Sequence, residues 1–544
     1  MIINKLDDGI GLRWRNEKNE REEKTIPFSE FSPYLFVKKM APIEHVMLSD
    51  KWGKFRLELS YEEGDYYNLE GEELLKVTWN PSHPRYSYKL KKFFDETYEA
   101  DIPLHYRYAV DCIKDIPPYN MRKWYWDMEW MQGGEYDGAI TCIVVYDNYE
   151  DEYTTYTWQP DAEECNSEAK MLVIFLSQML DKDPDMLISW FGWKFDLPKL
   201  IERMVIHGID PRLMSPFDEV AGVTWANNKP KHYDTIYNYS PIYQPIKGRI
   251  TVPLDMAFER QWHDAQKGTL PSMALDYISE IVLGEKKLVS EKFPDKNEFF
   301  ARGWLEDSET YLEYAKKDVE LIKRIDETNH TTEAILSLQR LLKAPFDACF
   351  YASNMGGIYF MRHASWKAPT GKKGHRVAYD GAMVYDPLSE DTNGLHLGVA
   401  AFDFASLYPA MSIARNISWE TVSETPTEFA VNIKTPKDFS EIIEEDMRYF
   451  KTDKLGLLPQ SVLELKELRN KYKERMKNAD NQSDYNKWNN NQLAVKRLMA
   501  SFYGIVAYQG FGWADVKLAE CITASARQAI REAAFKVREL NGSM

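Results

Sequence analysis

The sequence predicts an α/β protein of several domains: a small mixed N-terminal domain, a domain of alternating strands and helices, and a C-terminal part holding a helical hairpin. Three observations carry this reading. At 544 residues the chain is longer than one hydrophobic core usually serves. Between Tyr106 and about Thr331, strand-like runs alternate with helical ones. Beyond residue 457, two helical patterns are separated by a polar stretch.

Taken in order, residues 1–105 alternate short apolar and charged stretches, with turn signals at Asp7-Asp8-Gly9 and Asn80-Pro81. Residues 106–335 form the alternating domain. Its strand at Ala139–Tyr146 is rich in β-branched residues, and Ala169–Leu180 and Leu197–His207 show helical periodicity. Residues 336–375 are a connecting segment expected to pack on the N-terminal domain, and its basic loop at Lys367–Gly374 contains Pro369, Gly371 and Gly374. Val399–Phe404 reads as a strand. Leu463–Lys477 and Asn490–Ser501 read as two helices, with the polar stretch Asn478–Asn489 turning between them. A last helix is predicted over about Leu518–Leu540, stopped by Asn541-Gly542.

The formal charge of −17 argues against a non-specific nucleic-acid binder, which is usually basic. Local runs soften that objection. Arg362–Arg376 holds five basic residues and no acidic one, and Ser461–Lys477 holds six basic and three acidic residues. Such runs are equally solvated surface. The five cysteines are scattered with no CxxC pair, which argues against a zinc site or a disulfide framework. The N-terminus has no signal-peptide pattern, and no apolar run approaches the roughly 18 residues that span a bilayer. The expectation is a soluble, cytoplasmic protein without membrane contact.

Three acidic motifs stand in the alternating domain. Asp127 and Glu129 lie two apart on a strand-like run, so period-2 geometry puts both carboxylates on one face. Such a pair repels itself unless a cation intervenes. Paired divalent ions do this in phosphodiester hydrolysis. Alone, the pair is also an ordinary exposed strand edge. Phe195-Asp196 follows the apolar run Met186–Phe191, where Asp196 alone reads as a helix N-cap. Tyr314 and Asp318 are four apart on a helical pattern and share a face, as on any surface helix.

In that order, over about 190 residues, DxE, FD and YxxxD resemble the three exonuclease motifs of family B DNA polymerases, which have a ribonuclease-H-like fold. The resemblance implies that Asp127, Glu129, Asp196 and Asp318 hold two metal ions, and that Tyr314 orients the attacking water. The ions would be Mg2+, with Mn2+ as a substitute. The family often has Asn five positions before the second motif's Asp, and this chain has Phe191 there.

A second set follows. The string Asp403-Phe-Ala-Ser406-Leu407-Tyr408-Pro409 resembles the family's first polymerase motif. Asp403 would end a strand facing a metal, Ser406, Leu407 and Tyr408 would hold the triphosphate by a turn, and Tyr408 would exclude a 2′-hydroxyl. Tyr379 and Gly381 resemble the family's Tyr-x-Gly element, a template contact that would act with Lys372 and Lys373 of the basic loop. Lys496–Gly504 resembles the KxxxNSxYG motif, with Ala500 in place of Asn. That makes the hairpin the fingers. It assigns Arg469, Lys473 and Lys496 to the incoming nucleotide and Tyr503 to the nascent base pair. A solvated charged hairpin is the plainer alternative.

The resemblance divides the later chain into palm (376–456), fingers (457–507) and continued palm (508–544). It implies a DNA-directed DNA polymerase of the tailed-phage replicative type, with proofreading, acting on primer-template DNA and deoxynucleoside triphosphates. No DTD string, the family's second palm motif, occurs. The expectation is therefore a split or truncated enzyme. A complementing C-terminal chain would bring the DTD motif, the thumb and any sliding-clamp contact. In a phage the setting would be the bacterial cytoplasm. The competing reading is a stand-alone 3′→5′ exonuclease with a vestigial polymerase region. A non-enzymatic assembly module is disfavoured by the intact acidic motifs.

Overall fold

The computed structural model describes residues 1–544 except 51–52, 227–228, 233–243, 265–267, 372–377, 384–393, 396, 401, 405, 509 and 542–544. The chain forms two compact units, Met1–Phe31 with Leu104–Phe350, and Ser32–Pro103 with Tyr351–Met544. The expected 1–105 domain is thus divided between them. The reason lies in which apolar faces match. Ile3, Ile10, Leu12 and Ile26 share a core with Leu104, Ala109 and Ile113, whereas Leu35, Val37, Leu57 and Val77 pack with Trp79 and Leu90.

The first unit is built on a five-stranded sheet. Its strands are β1 (Lys123–Trp130), β2 (Ile140–Asp147), β3 (Glu152–Thr157), β4 (Met186–Ser189) and β5 (Ile250–Pro253), in the order β3-β2-β1-β4-β5. β1 to β3 pair antiparallel, and β4 runs parallel to both β1 and β5. All eight residues of β2 are buried, as expected of an inner strand with no polar face to water. Helices α1 (Glu168–Lys182), α2 (Asp196–Ile206), α3 (Leu275–Leu283) and α4 (Ser308–Asn329) accompany the sheet. The Ser167 hydroxyl caps α1 by accepting from the Lys170 amide, and Asp183 ends it in the left-handed region.

A three-stranded antiparallel sheet (Ile2–Lys5, Gly9–Arg15, Arg21–Pro27) completes this unit. Its Arg13 and Arg21 bond to the Asp183 carboxylate, and its Arg15 and Arg21 to that of Asp185. Arg249 adds a third guanidinium to Asp183 at 2.8 Å.

In the second unit a four-stranded antiparallel sheet has the order Tyr34–Lys38, Leu74–Asn80, Gly53–Glu62, His45–Asp50. Residues 97–101 join the segment near 370: Thr97 and Thr370 hydroxyls lie 2.9 Å apart, and the Glu99 amide donates to the Ala368 carbonyl. A small antiparallel sheet has the order Val422–Ser423, Met447–Phe450, Phe429–Asn432, and the longer helices of this unit are α5 (Ala352–His363), α6 (Leu407–Ala414), α7 (Leu457–Lys477), α8 (Gln482–Ala507) and α9 (Val516–Asn541). α5 packs closely on α8. A Cβ at Gly356 would stand 1.7 Å from Ile505 Cδ1, and Phe360 and Phe502 meet with ring centroids 4.7 Å apart.

Two expected elements differ. The described residues of 399–404 form no strand, and Val399 and Phe402 are exposed. Val399, Phe402 and Phe404 suit a strand, but a ladder partner makes one. The predicted turn at Asn478–Asn489 shrinks to residues 478–481, because α8 starts at Gln482. The Asn481 side chain caps it by accepting from the Asp484 amide, and Trp488 stacks on Tyr472 with centroids 5.8 Å apart. These contacts hold a polar turn of helix that propensity alone disfavours. The expected stop at Gly542 lies outside the described residues. No described helix is long and apolar enough to cross a membrane.

Candidate active site

β1 presents Asp127 and Glu129 at alternate positions, opposite Val144 and Cys142 of β2. α4 lies across the sheet, tied to it twice. Tyr125 Oη donates to Asp326 Oδ2 at 2.7 Å, and the Tyr311 and Thr141 hydroxyls meet at 3.0 Å. Thr141 Oγ1 in turn donates to the Glu129 carbonyl. This fixes α4 so that Tyr314 and Asp318, one turn apart, face the strand carboxylates. Carboxylate oxygens of Asp127, Glu129 and Asp318 all lie within 4.8 Å of one another. Asp196, the first residue of α2, lines the same cleft of 330 Å³ with Tyr314.

The electrostatics are those of crowded acids. Burial, then Asp196, Glu129 and Asp318, hold the Asp127 carboxyl well above its ordinary range. Glu129 is pushed up to about 8 by burial and Asp318, and Asp196 to about 7 by burial and Asp255. Asp318 is raised by burial and is fully buried. Buried oxygens Asp318 Oδ1 and Asp196 Oδ2 have no hydrogen-bond partner, a costly state that a bound cation relieves. Carboxylate oxygens are the hard donors that divalent cations such as magnesium and manganese take. The residues therefore fit a divalent ion.

Sequence reasoning missed Lys287. It stands in the loop after α3, where its amide donates to Asp276 Oδ1. Its Nζ donates to Asp318 Oδ2 at 2.5 Å and to the Tyr314 hydroxyl at 3.2 Å. Burial opposes its charge, but Asp318, Tyr314, Asp127 and Glu129 outweigh it and hold the ammonium protonated. No spacing signal marks this lysine, since it approaches from a loop remote in sequence.

The second set of expected residues is brought together in part. Tyr379 and Tyr503 hydroxyls are 2.8 Å apart, and Tyr408 packs on Tyr503 with ring centroids 4.6 Å apart. Ser406 takes the left-handed conformation (φ 58°) immediately before α6, which Leu407 begins. Gly381 is fixed by Arg527, whose buried guanidinium donates to the Asp380, Gly381, Ile433 and Thr435 carbonyls. Arg469, Lys473 and Lys496 converge from α7 and α8. Arg469, burial, Lys477 and Lys496 together lower the Lys473 ammonium below its usual range. Arg469 Nε donates to Gln492. Asp403 is exposed and, among the described residues, joins no carboxylate cluster. Lys372 and Lys373 lie outside the described residues.

The fold and site define an exonuclease-type α/β domain with a carboxylate-lined cleft in one unit and a polymerase-type unit in the other. Residues 128–230, with Glu129 and Asp196, match the model for the exonuclease domain of DNA polymerase family B, and residues 351–542 match the model for DNA polymerase family B. The chain belongs to DNA polymerase family B. It is 26% identical over 458 residues to DNA polymerase 1 of Pyrococcus abyssi, covering 80% of this chain and 54% of that one. The DNA polymerase of Desulfurococcus sp. (strain Tok) is 27% identical over 469 residues, 82% and 55% of the two chains. The solved family B DNA polymerase of the hyperthermophilic archaeon Pyrobaculum calidifontis aligns with a TM-score of 0.71 over 99% of this chain and 73% of that one. At 18% identity, that likeness is one of fold. The chain spans about half the length of the curated relatives it matches.

Proposed function

We propose that the first unit removes nucleotides from the 3′ end of DNA, and that the second binds the incoming nucleotide of template-directed DNA synthesis, whose errors the first removes. The observation that carries the first half is the convergence of Asp127, Glu129 and Asp318 to within 4.8 Å, with Asp196 on the same cleft. Asp127, Glu129, Asp196 and Asp318 would hold Mg2+ ions, two to the site, with Mn2+ able to substitute. When bound, the ions activate water and stabilise the leaving oxygen. Tyr314 orients the water, and the Lys287 ammonium beside Asp318 offsets part of the negative charge that a phosphate would meet.

In the second unit Arg469, Lys473 and Lys496 take the triphosphate, and Ser406 and Leu407 approach it at the start of α6. Tyr408 packs under the sugar, Tyr503 under the base pair, and Tyr379 and Gly381 meet the template, joined by Lys372 and Lys373. Asp403 would be a metal ligand here, and among the described residues no further carboxylate clusters with it. Synthesis then calls for further carboxylates, which we assign to a complementing C-terminal chain carrying the second palm motif and thumb, and through it any sliding-clamp contact. The cytoplasm is the proposed setting. A stand-alone exonuclease is the weaker reading, because such an enzyme has no use for a nucleotide site of the kind that Arg469, Lys473, Lys496 and Tyr408 would form.

The test is direct. With Mg2+, the chain should shorten single-stranded DNA from its 3′ end, and the paired change Asp127→Ala and Glu129→Ala should abolish this. Undiminished activity in that variant would sink the site assignment. Primer extension by this chain alone would overturn the need for a complementing chain.

A further inference from the structure

Among the described residues, two lysines line the carboxylate cleft, and they are placed differently. Lys287 is spent inside it, on Asp318 and Tyr314. Lys296 is exposed, and among the described residues no carboxylate forms an ion pair with its ammonium. Its backbone is nonetheless fixed. The Asp295 carboxylate accepts from the Asn297 and Glu298 amides at 2.9 and 3.0 Å, which turns the chain at Lys296. A single π-helical turn, Phe299–Gly303, follows, a geometry that recurs at functional sites. Phe299 is buried against Tyr311 and Tyr314, with ring centroids 5.2 and 5.4 Å away, and the Phe300 carbonyl accepts from the Gln132 amide just beyond β1. The segment that carries Lys296 is thus packed on the tyrosine that faces the acids.

A DNA strand brings a negative charge with every phosphate into a cleft lined by Asp127, Glu129, Asp196, Asp276 and Asp318. On the reading above, the scissile phosphate sits at the metal-holding acids, beside Lys287. The phosphate one linkage toward the 5′ side lies further out and needs a partner of its own. A lysine suits it, being a point charge on a flexible stem whose three donors demand no fixed angle and read no base. We infer that Lys296 pairs with the phosphate one linkage 5′ of the scissile one, so that the site grips a strand by its second phosphate and disfavours a dinucleoside monophosphate, which has none. The inference rests on the exonuclease reading of this cleft.

The test measures binding, in Ca2+ at low salt, of single-stranded oligonucleotides in which one linkage at a time is a neutral methylphosphonate. Neutralising the second linkage from the 3′ end should weaken binding to the wild-type chain about 5-fold. Lys296→Gln should weaken binding of the unmodified strand by the same factor and lower the slope of log affinity against log salt by about 0.7. It should be indifferent to a neutral second linkage and keep wild-type sensitivity at the others. Lys296→Arg keeps the charge and should keep the dependence on the second linkage. Unchanged affinity in Lys296→Gln would overturn the inference, as would losses that add to those of the neutral linkage, or a loss spread evenly over every linkage. Wild-type hydrolysis in Mg2+ is measured alongside: no hydrolysis sinks the exonuclease reading, while hydrolysis with additive losses sinks the Lys296 role alone.

Discussion

Lys287 donates a 2.5 Å hydrogen bond to Asp318, joining a loop lysine to the most buried acid of the carboxylate cluster. Its ammonium also reaches Tyr314. It therefore offsets charge in the cleft and fixes the two side chains that α4 contributes. Lys287→Ala should lower the turnover of 3′-end hydrolysis by about 100-fold, the scale of a positioned charged group. Lys287→Arg should retain part of it. Single-turnover digestion of a labelled oligonucleotide checks this, and wild-type rates in Lys287→Ala would remove the role.

The acids of the cleft should cost stability when no cation is bound. Asp127 has its carboxyl raised well above the ordinary range. A carboxyl raised in the folded state destabilises as pH climbs past its unfolded value of about 4. Asp127→Asn removes that cost, so in EDTA at pH 7 its melting temperature should rise by about 2–4 °C. Scanning calorimetry decides it. A fall in melting temperature would contradict the electrostatic account.

Asp183 behaves in the opposite sense. Burial alone would raise its carboxyl, but Arg249, Arg13 and Arg21 outweigh burial and hold it well below the usual range. A depressed acid stabilises at pH values above its unfolded value, about 4, and loses that contribution as pH falls through its folded value. Asp183→Asn strands buried guanidinium groups and should cost about 3 kcal/mol at pH 7. The deficit should shrink in urea titrations repeated below pH 4. A pH-independent deficit would point to packing instead.

The contact between Tyr379 and Tyr503 should be energetically modest. Tyr503→Phe removes a hydroxyl pair at 2.8 Å and leaves the stack on Tyr408. The expected loss is about 1 kcal/mol. A double-mutant cycle with Tyr379→Phe should show most of that loss as coupling. Additive losses would mean that the two hydroxyls do not depend on each other.

The Tyr408 ring is expected to set sugar choice. Tyr408→Ala, assayed with a complementing palm and thumb chain, should incorporate ribonucleotides more readily than wild type. Unchanged discrimination in primer extension would assign that choice elsewhere.

Much of the site was legible because its motifs are local. Asp127 and Glu129 share a face through strand alternation, and Tyr314 and Asp318 through one helical turn. Lys287 was not legible, because its contact with Asp318 crosses 31 residues of chain with no periodic relation. The strand expected over 399–404 misled for a related reason. Its composition suits a pleat, yet its described residues find no ladder partner.

Sequence alone determined the period of the strand that carries Asp127 and Glu129 and of the helix that carries Tyr314 and Asp318, the order of the acidic motifs and the clustering of basic residues on the hairpin, because local backbone geometry is set largely by neighbouring residues. Tertiary structure alone decided that three carboxylates stand within 4.8 Å, and that residues 1–31 and 32–103 join different units. It also brought the loop residue Lys287 onto Asp318 and Tyr314. Coulomb energies and apolar burial depend on distance in space, and only the folded chain sets that distance.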